Sequence, residues 1–256
     1  MLQLDFLGNF SQEQEDISLN DGQYEFWDSE YKIHPKPPVI INYNKIEKFF
    51  IELDYSKVSD YKGYWESITP QNDADVFCRW LFAFMSVHTS WKANIVGYAA
   101  IKNWWTWINK WENLLELIQA SGVGMHNNRL KFISEFAYDF WEDPSKYKKE
   151  QNESWSQFRN RLEKITLGLG MAKTSFALEM CYPNQAKITC LDTHMFQAYG
   201  LDQSKHAKKY KTIEQHWVYM SNMWNIPPYI ARCMYWDHKQ GHLDSRYWSF
   251  VFEKQK

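Results

Sequence analysis

Apolar residues recur along this chain at helical spacing, and no stretch alternates convincingly as a strand would. Ile46, Phe49, Phe50 and Leu53 share one face of residues 42–54, which predicts a short amphipathic helix. A loop is expected through Asp60-Tyr61-Lys62-Gly63 as far as Asp73. From Asp73 the run DADVFCRWLFAFMSVHTS is apolar almost all round, so a central, buried helix is predicted there. TSWKANIVGYAAIKNWWTWINKW and NLLELIQAS predict two more helices. The pattern breaks at residues 122–128 and resumes in RLKFISEFAYDFW. Later helices are expected around Phe158–Ile165, Phe176–Met180, Ile213–Trp224 and in YIARCMYWDHKQG, where Pro227-Pro228 can open the helix and Gly241 close it. Residues 1–41 read as an irregular arm ending in a stiff proline-rich connector.

The stretch 158–201 organises the rest. Its first amphipathic run (Phe158, Leu162, Ile165) ends at Gly168-Leu169-Gly170, and the second apolar run starts at once. Two helices joined by so short a link form a hairpin, and glycine permits both the turn and a close backbone approach. The N–H groups opening the second helix are left free, which makes an anion site with Lys173 in the first turn. Pro183-Asn184 stops that helix. The chain then returns through Ile188–Leu191 to Asp192-Thr193-His194, so an amine and a carboxylate can face one cleft.

LGLGMAK followed by LDTHMF resembles the helix-hairpin-helix DNA glycosylase superfamily. The resemblance covers residues 71–225 broadly and is specific over 158–200. It implies an all-α fold with two helical subdomains flanking a cleft. The expected division is an arm and short helix over 1–70 packing on the C-terminal part, a central subdomain over 71–165, and the hairpin with the C-terminal helices over 166–256. It also implies that Gly168, Leu169, Gly170 and Met171 hold the DNA backbone, that Asp192 is catalytic, and that Lys173 serves strand cleavage. His194 completes the Asp-x-His motif. The family places one residue between the second glycine and the lysine, whereas Met171 and Ala172 both intervene here. His88 matches the family's residue that fills the gap left by the extruded base, and Met125 its wedge into the base stack. Each has a plainer reading, a helix-end histidine and a methionine in a Gly-rich turn. Asp192 can equally cap the helix beginning at Thr193, and Lys173 can be a phosphate-contacting or solvated lysine.

Composition adjusts this picture in three places. Fourteen Trp, 16 Tyr and 16 Phe exceed what stacking on a base could use, so most must be core. The net charge of −2 puts any DNA contact on local basic clusters, of which Lys146–Lys149 and KHAKKYK at 205–211 are the candidates. The first of these is expected to be a solvated face. The four cysteines, Cys78, Cys181, Cys190 and Cys233, form no CxxC and no compact run, so neither zinc nor the iron–sulfur cluster of some family members is expected. No cofactor is expected. No apolar run reaches about 18 residues, so no membrane partner is expected, and the protein is placed in the cytoplasm, at nucleoid or nuclear DNA.

The expected activity is excision of a flipped, modified or damaged base from double-stranded DNA by a monomer, with or without lyase activity. Two alternatives stand beside it. One is modification of a base in place on the same scaffold; the other is a non-catalytic DNA-binding module.

Overall fold

The computed structural model describes residues 39–241 and 250–252. The arm before residue 39 and most of the tail after Gly241 lie outside the described residues. The described residues are helical with no strand. In chain order the helices are α1 (Asn44–Ile51), α2 (Tyr55–Ser67), α3 (Asp73–Met85), α4 (Trp91–Ile101), α5 (Trp111–Ala120) and α6 (His126–Glu142). They continue with α7 (Trp155–Ile165), α8 (Met171–Cys181), α9 (Thr193–Ala198), α10 (Gln203–His206), α11 (Tyr210–Met223) and α12 (Pro228–Gln240).

α3 is the central helix that its apolar sequence predicts. Eight of its residues are buried, and it packs on α4, α6 and α8. Phe77 stacks on Phe136 of α6 at 5.3 Å between ring centroids, and Trp80 on the same ring at 5.6 Å. Trp80, Trp107 and Trp217 are fully buried, so the aromatic surplus goes largely into the core. α1 rests on α11, and α2 on α12.

Two boundaries differ from the sequence expectation. α3 stops at Met85 because Ser86 and Thr89 turn their hydroxyls back onto the carbonyls of Ala83 and Met85, both at 2.7 Å. Ser90 then caps α4 by accepting from the Ala93 N–H. The expected loop at 60–63 is instead the middle of α2. Asp54 caps this helix, and Val58, Tyr61 and Trp65 bury one face. That i, i+3, i+7 spacing was present in the sequence but was masked by Gly63, which reads as a turn. Tertiary docking overrides the glycine's low propensity.

A Cβ at Gly63 would meet nothing within 4 Å. Gly63→Ala should therefore raise the stability by about 0.5–1 kcal/mol, read as a higher urea midpoint at unchanged slope.

Candidate active site at the hairpin

The link between α7 and α8 takes the form expected of Gly168-Leu169-Gly170. Gly168 has φ +88, and a Cβ there would fall 2.4 Å from the Phe132 ring, so both the turn and the packing require glycine. The Leu169 side chain is buried and anchors the hairpin from inside. Gly170 is the N-cap of α8 and faces open space, with nothing within 4 Å of its missing Cβ. The Lys173 and Thr174 N–H groups both donate to the Gly170 carbonyl at 3.0 Å. Those of Met171 and Ala172 precede any helical acceptor and remain open at the helix end.

From α8 the chain returns in an extended segment that buried side chains hold. The Glu214 carboxylate accepts from the Thr189 N–H at 3.0 Å and takes both terminal nitrogens of Arg159, at 2.8 and 3.1 Å. The Glu179 carboxylate accepts from the Cys190 N–H at 3.1 Å and is gripped by Arg232 at 2.7 and 3.1 Å. Burial pushes the Glu179 carboxyl up to about 7, with Arg232 pulling it back. The Tyr210 hydroxyl accepts from the Leu191 N–H and donates to the Thr189 carbonyl. Asp192 follows directly. Its Oδ1 accepts from the N–H groups of His194 and Met195, both at 3.0 Å, so the capping reading of this residue holds in full.

Both cap bonds fall on Oδ1, and Asp192 also lines a cleft of about 430 Å³ together with Lys173, Phe176, Cys190 and Arg232. α8 begins at Met171, Ala172 packs on the core, and Lys173 lies along the cleft wall with its ammonium 5.6 Å from the Phe176 ring centroid. Burial pushes the Lys173 amine below the ordinary lysine range, and the Asp192 charge holds it partly back. His194 is exposed, 3.0 Å from the Lys239 ammonium and edge-on to Trp236, another cleft residue. Trp91 of α4 also lines the cleft. Sequence reading did not single out Trp91 and Asn94 of α4 or Arg232 and Trp236 of α12, because the two helices are far from the hairpin in sequence and none of the four belongs to a local motif.

His88 and Met125 lie off the cleft, on two neighbouring loops, both exposed. Both adopt left-handed backbone, with φ +50 and +63, which is uncommon for residues other than glycine. One buried residue ties their loops together. Arg129 Nε donates to the Gly124 carbonyl at 2.8 Å, Nη1 to that of Phe84 at 2.6 Å and Nη2 to that of Val87 at 2.6 Å.

The first basic cluster is a solvated, paired face, as expected. Lys146 pairs with Asp139 and Glu142, and Lys148 with Asp73. In the second, Lys208 and Lys211 are exposed and have no ion pair among the described residues. The cysteines are free, and no group of metal-ligating side chains occurs among the described residues. No helix among them is long and apolar enough to cross a membrane.

No protein-family model and no curated protein sequence matches the chain. Solved structures do. The 8-oxoguanine DNA glycosylase of Thermotoga maritima superposes with a TM-score of 0.62 at 17% identity, covering 79% of this chain and 99% of that one. The 8-oxoguanine DNA glycosylase of Methanocaldococcus jannaschii does so with a TM-score of 0.61 at 15% identity, covering 77% and 93%. A complex of the Methanocaldococcus jannaschii 8-oxoguanine glycosylase/lyase with a 15mer DNA containing 8-oxoguanine matches with a TM-score of 0.59 at 16% identity, covering 79% and 98%. The chain therefore has the all-helical fold of helix-hairpin-helix DNA glycosylases.

Arg129→Met would remove the guanidinium donors from the Phe84, Val87 and Gly124 carbonyls. It should lower the stability by roughly 2–4 kcal/mol in urea denaturation, and hydrogen exchange should rise first in the two loops it joins.

Proposed function

We propose that this protein is a DNA glycosylase that flips a modified or damaged base out of double-stranded DNA and cleaves its N-glycosidic bond. The observation that carries this reading is the convergence of Lys173 and Asp192 on one cleft beside the open N-terminus of α8. The fold, shared with 8-oxoguanine DNA glycosylases, supports it.

In this reading a backbone phosphate sits on the free N–H groups of Met171 and Ala172, where Gly170 leaves room for its approach. Gly168 and Leu169 keep the turn in shape. Met125 enters the base stack, His88 fills the space left by the flipped nucleotide, and His194 borders the sugar. A duplex, bound by a monomer in the nucleoid or nucleus, is the partner, because flipping needs a stack to leave. The Lys173 amine, whose neutral form burial favours, attacks C1′. The N-glycosidic bond breaks and the base leaves with its electron pair; the amine's two protons go to the departing base and to the ring oxygen O4′ as the C1′–O4′ bond breaks and the sugar opens to a Schiff base. Asp192 stabilises the positive charge that develops on the sugar. The Schiff base then makes strand cleavage available.

Asp192→Asn should retain the fold and much of the DNA affinity yet lose on the order of 10² or more in single-turnover base release. Borohydride should trap the parent on DNA and fail to trap Lys173→Gln. Trapping should strengthen as pH rises towards the lowered Lys173 pKa, since only the neutral amine attacks. Base release that persists in Lys173→Gln without trapping would make water the nucleophile. A modified base that stays attached to the strand would favour in-place modification, and full function in Asp192→Asn would leave only a binding module.

A further inference from the structure

Asn94 on α4 lines the same cleft as Lys173 and Asp192. It is 1% exposed, and neither its Nδ2 nor its Oδ1 has a hydrogen-bond partner. Among the described residues it is the one buried carboxamide unpaired at both ends. Asn184, the other amide with an unpaired atom, donates through its nitrogen to the Lys62 carbonyl. On α8 itself the buried atom without a partner is a single hydroxyl, that of Thr174. Burying a donor and an acceptor together without partners opposes folding, and such a group in a cleft is held for something that enters.

We propose that Asn94 is the residue that reads the base, and that it selects a lactam edge, a ring carbonyl beside a ring N–H. This rests on the glycosylase reading only for the identity of the cleft as a base pocket. The carboxamide matches such an edge atom for atom, Nδ2 donating to the carbonyl and Oδ1 accepting from the N–H. An amidine edge, amino group beside ring nitrogen, satisfies the same amide in reverse, and the cleft's remaining donor separates the two. Lys173 lines the same cleft and its nitrogen, charged or neutral, donates N–H to a carbonyl oxygen, whereas an exocyclic amino group offers it no acceptor. Trp91 and Trp236 supply aromatic surface for the base's faces.

The test uses duplexes whose target nucleotide carries a 2′-fluoroarabino sugar, which resists cleavage. The target base is uracil, hypoxanthine or 8-oxoguanine for the lactam edge, and adenine for the amidine edge. A tetrahydrofuran abasic duplex, which has no base to read, is the control. The parent should bind at least one lactam duplex more tightly than the adenine duplex. Asn94→Leu should lose that preference by on the order of 10- to 100-fold and bind the abasic duplex as the parent does. It should also melt no lower than the parent, because it removes two unpaired buried atoms. A parent preferring adenine, or preferring no base, would overturn the proposal. So would an Asn94→Leu variant that keeps the preference, or one that weakens abasic-duplex binding equally. The glycosylase reading is decided separately, by base release from the unfluorinated duplexes.

Discussion

Two buried arginine–glutamate pairs, Arg159–Glu214 and Arg232–Glu179, hold the extended segment that delivers Asp192 to the cleft. An extended segment inside an all-helical protein has no neighbouring strand to pair its backbone, yet buried N–H groups must be paired. Here the two carboxylates accept the N–H groups of Thr189 and Cys190, and the arginines neutralise the carboxylates. Removing one partner of such a pair typically costs 3–5 kcal/mol, roughly, because a charge is then left buried alone. The segment is thus fixed by the core, and Asp192 inherits that rigidity at its end. Arg232 extends from the second pair into the cleft, so one residue joins the scaffold to the pocket's electrostatics.

Much of this was legible in the sequence because it is local. The hairpin rests on two glycines, and Gly168 meets its requirement through positive φ and contact with Phe132. Asp192 announces itself by the cap it makes with His194 and Met195. Helix α3 follows from its uninterrupted apolar run. Helix α2 did not, because Gly63 and the polar Asp60–Lys62 hid the spacing of Val58, Tyr61 and Trp65. Lys173 reaches the cleft from the first turn of α8, whose start at Met171 a residue count does not give.

The pocket was not legible, for a different reason. Arg232 and Glu179 are 53 residues apart, Arg159 and Glu214 are 55 apart, and Asn94 shares no motif with Lys173. No periodicity links them; only packing brings them together. The same holds for Arg129, which reaches carbonyls 42 and 45 residues away and so places the His88 and Met125 loops relative to each other. What the chain offers a substrate is therefore a local hairpin and aspartate on a frame assembled at long range.

A crystal structure of the protein with a duplex carrying a tetrahydrofuran abasic nucleotide tests that frame most directly. The account predicts a backbone phosphate on the Met171 and Ala172 N–H groups. It also predicts the sugar C1′ in the cleft, within about 3.5 Å of the Lys173 amine, and Asp192 beside the ring. DNA bound on another face, or an abasic sugar left in the stack with the cleft empty, would contradict it.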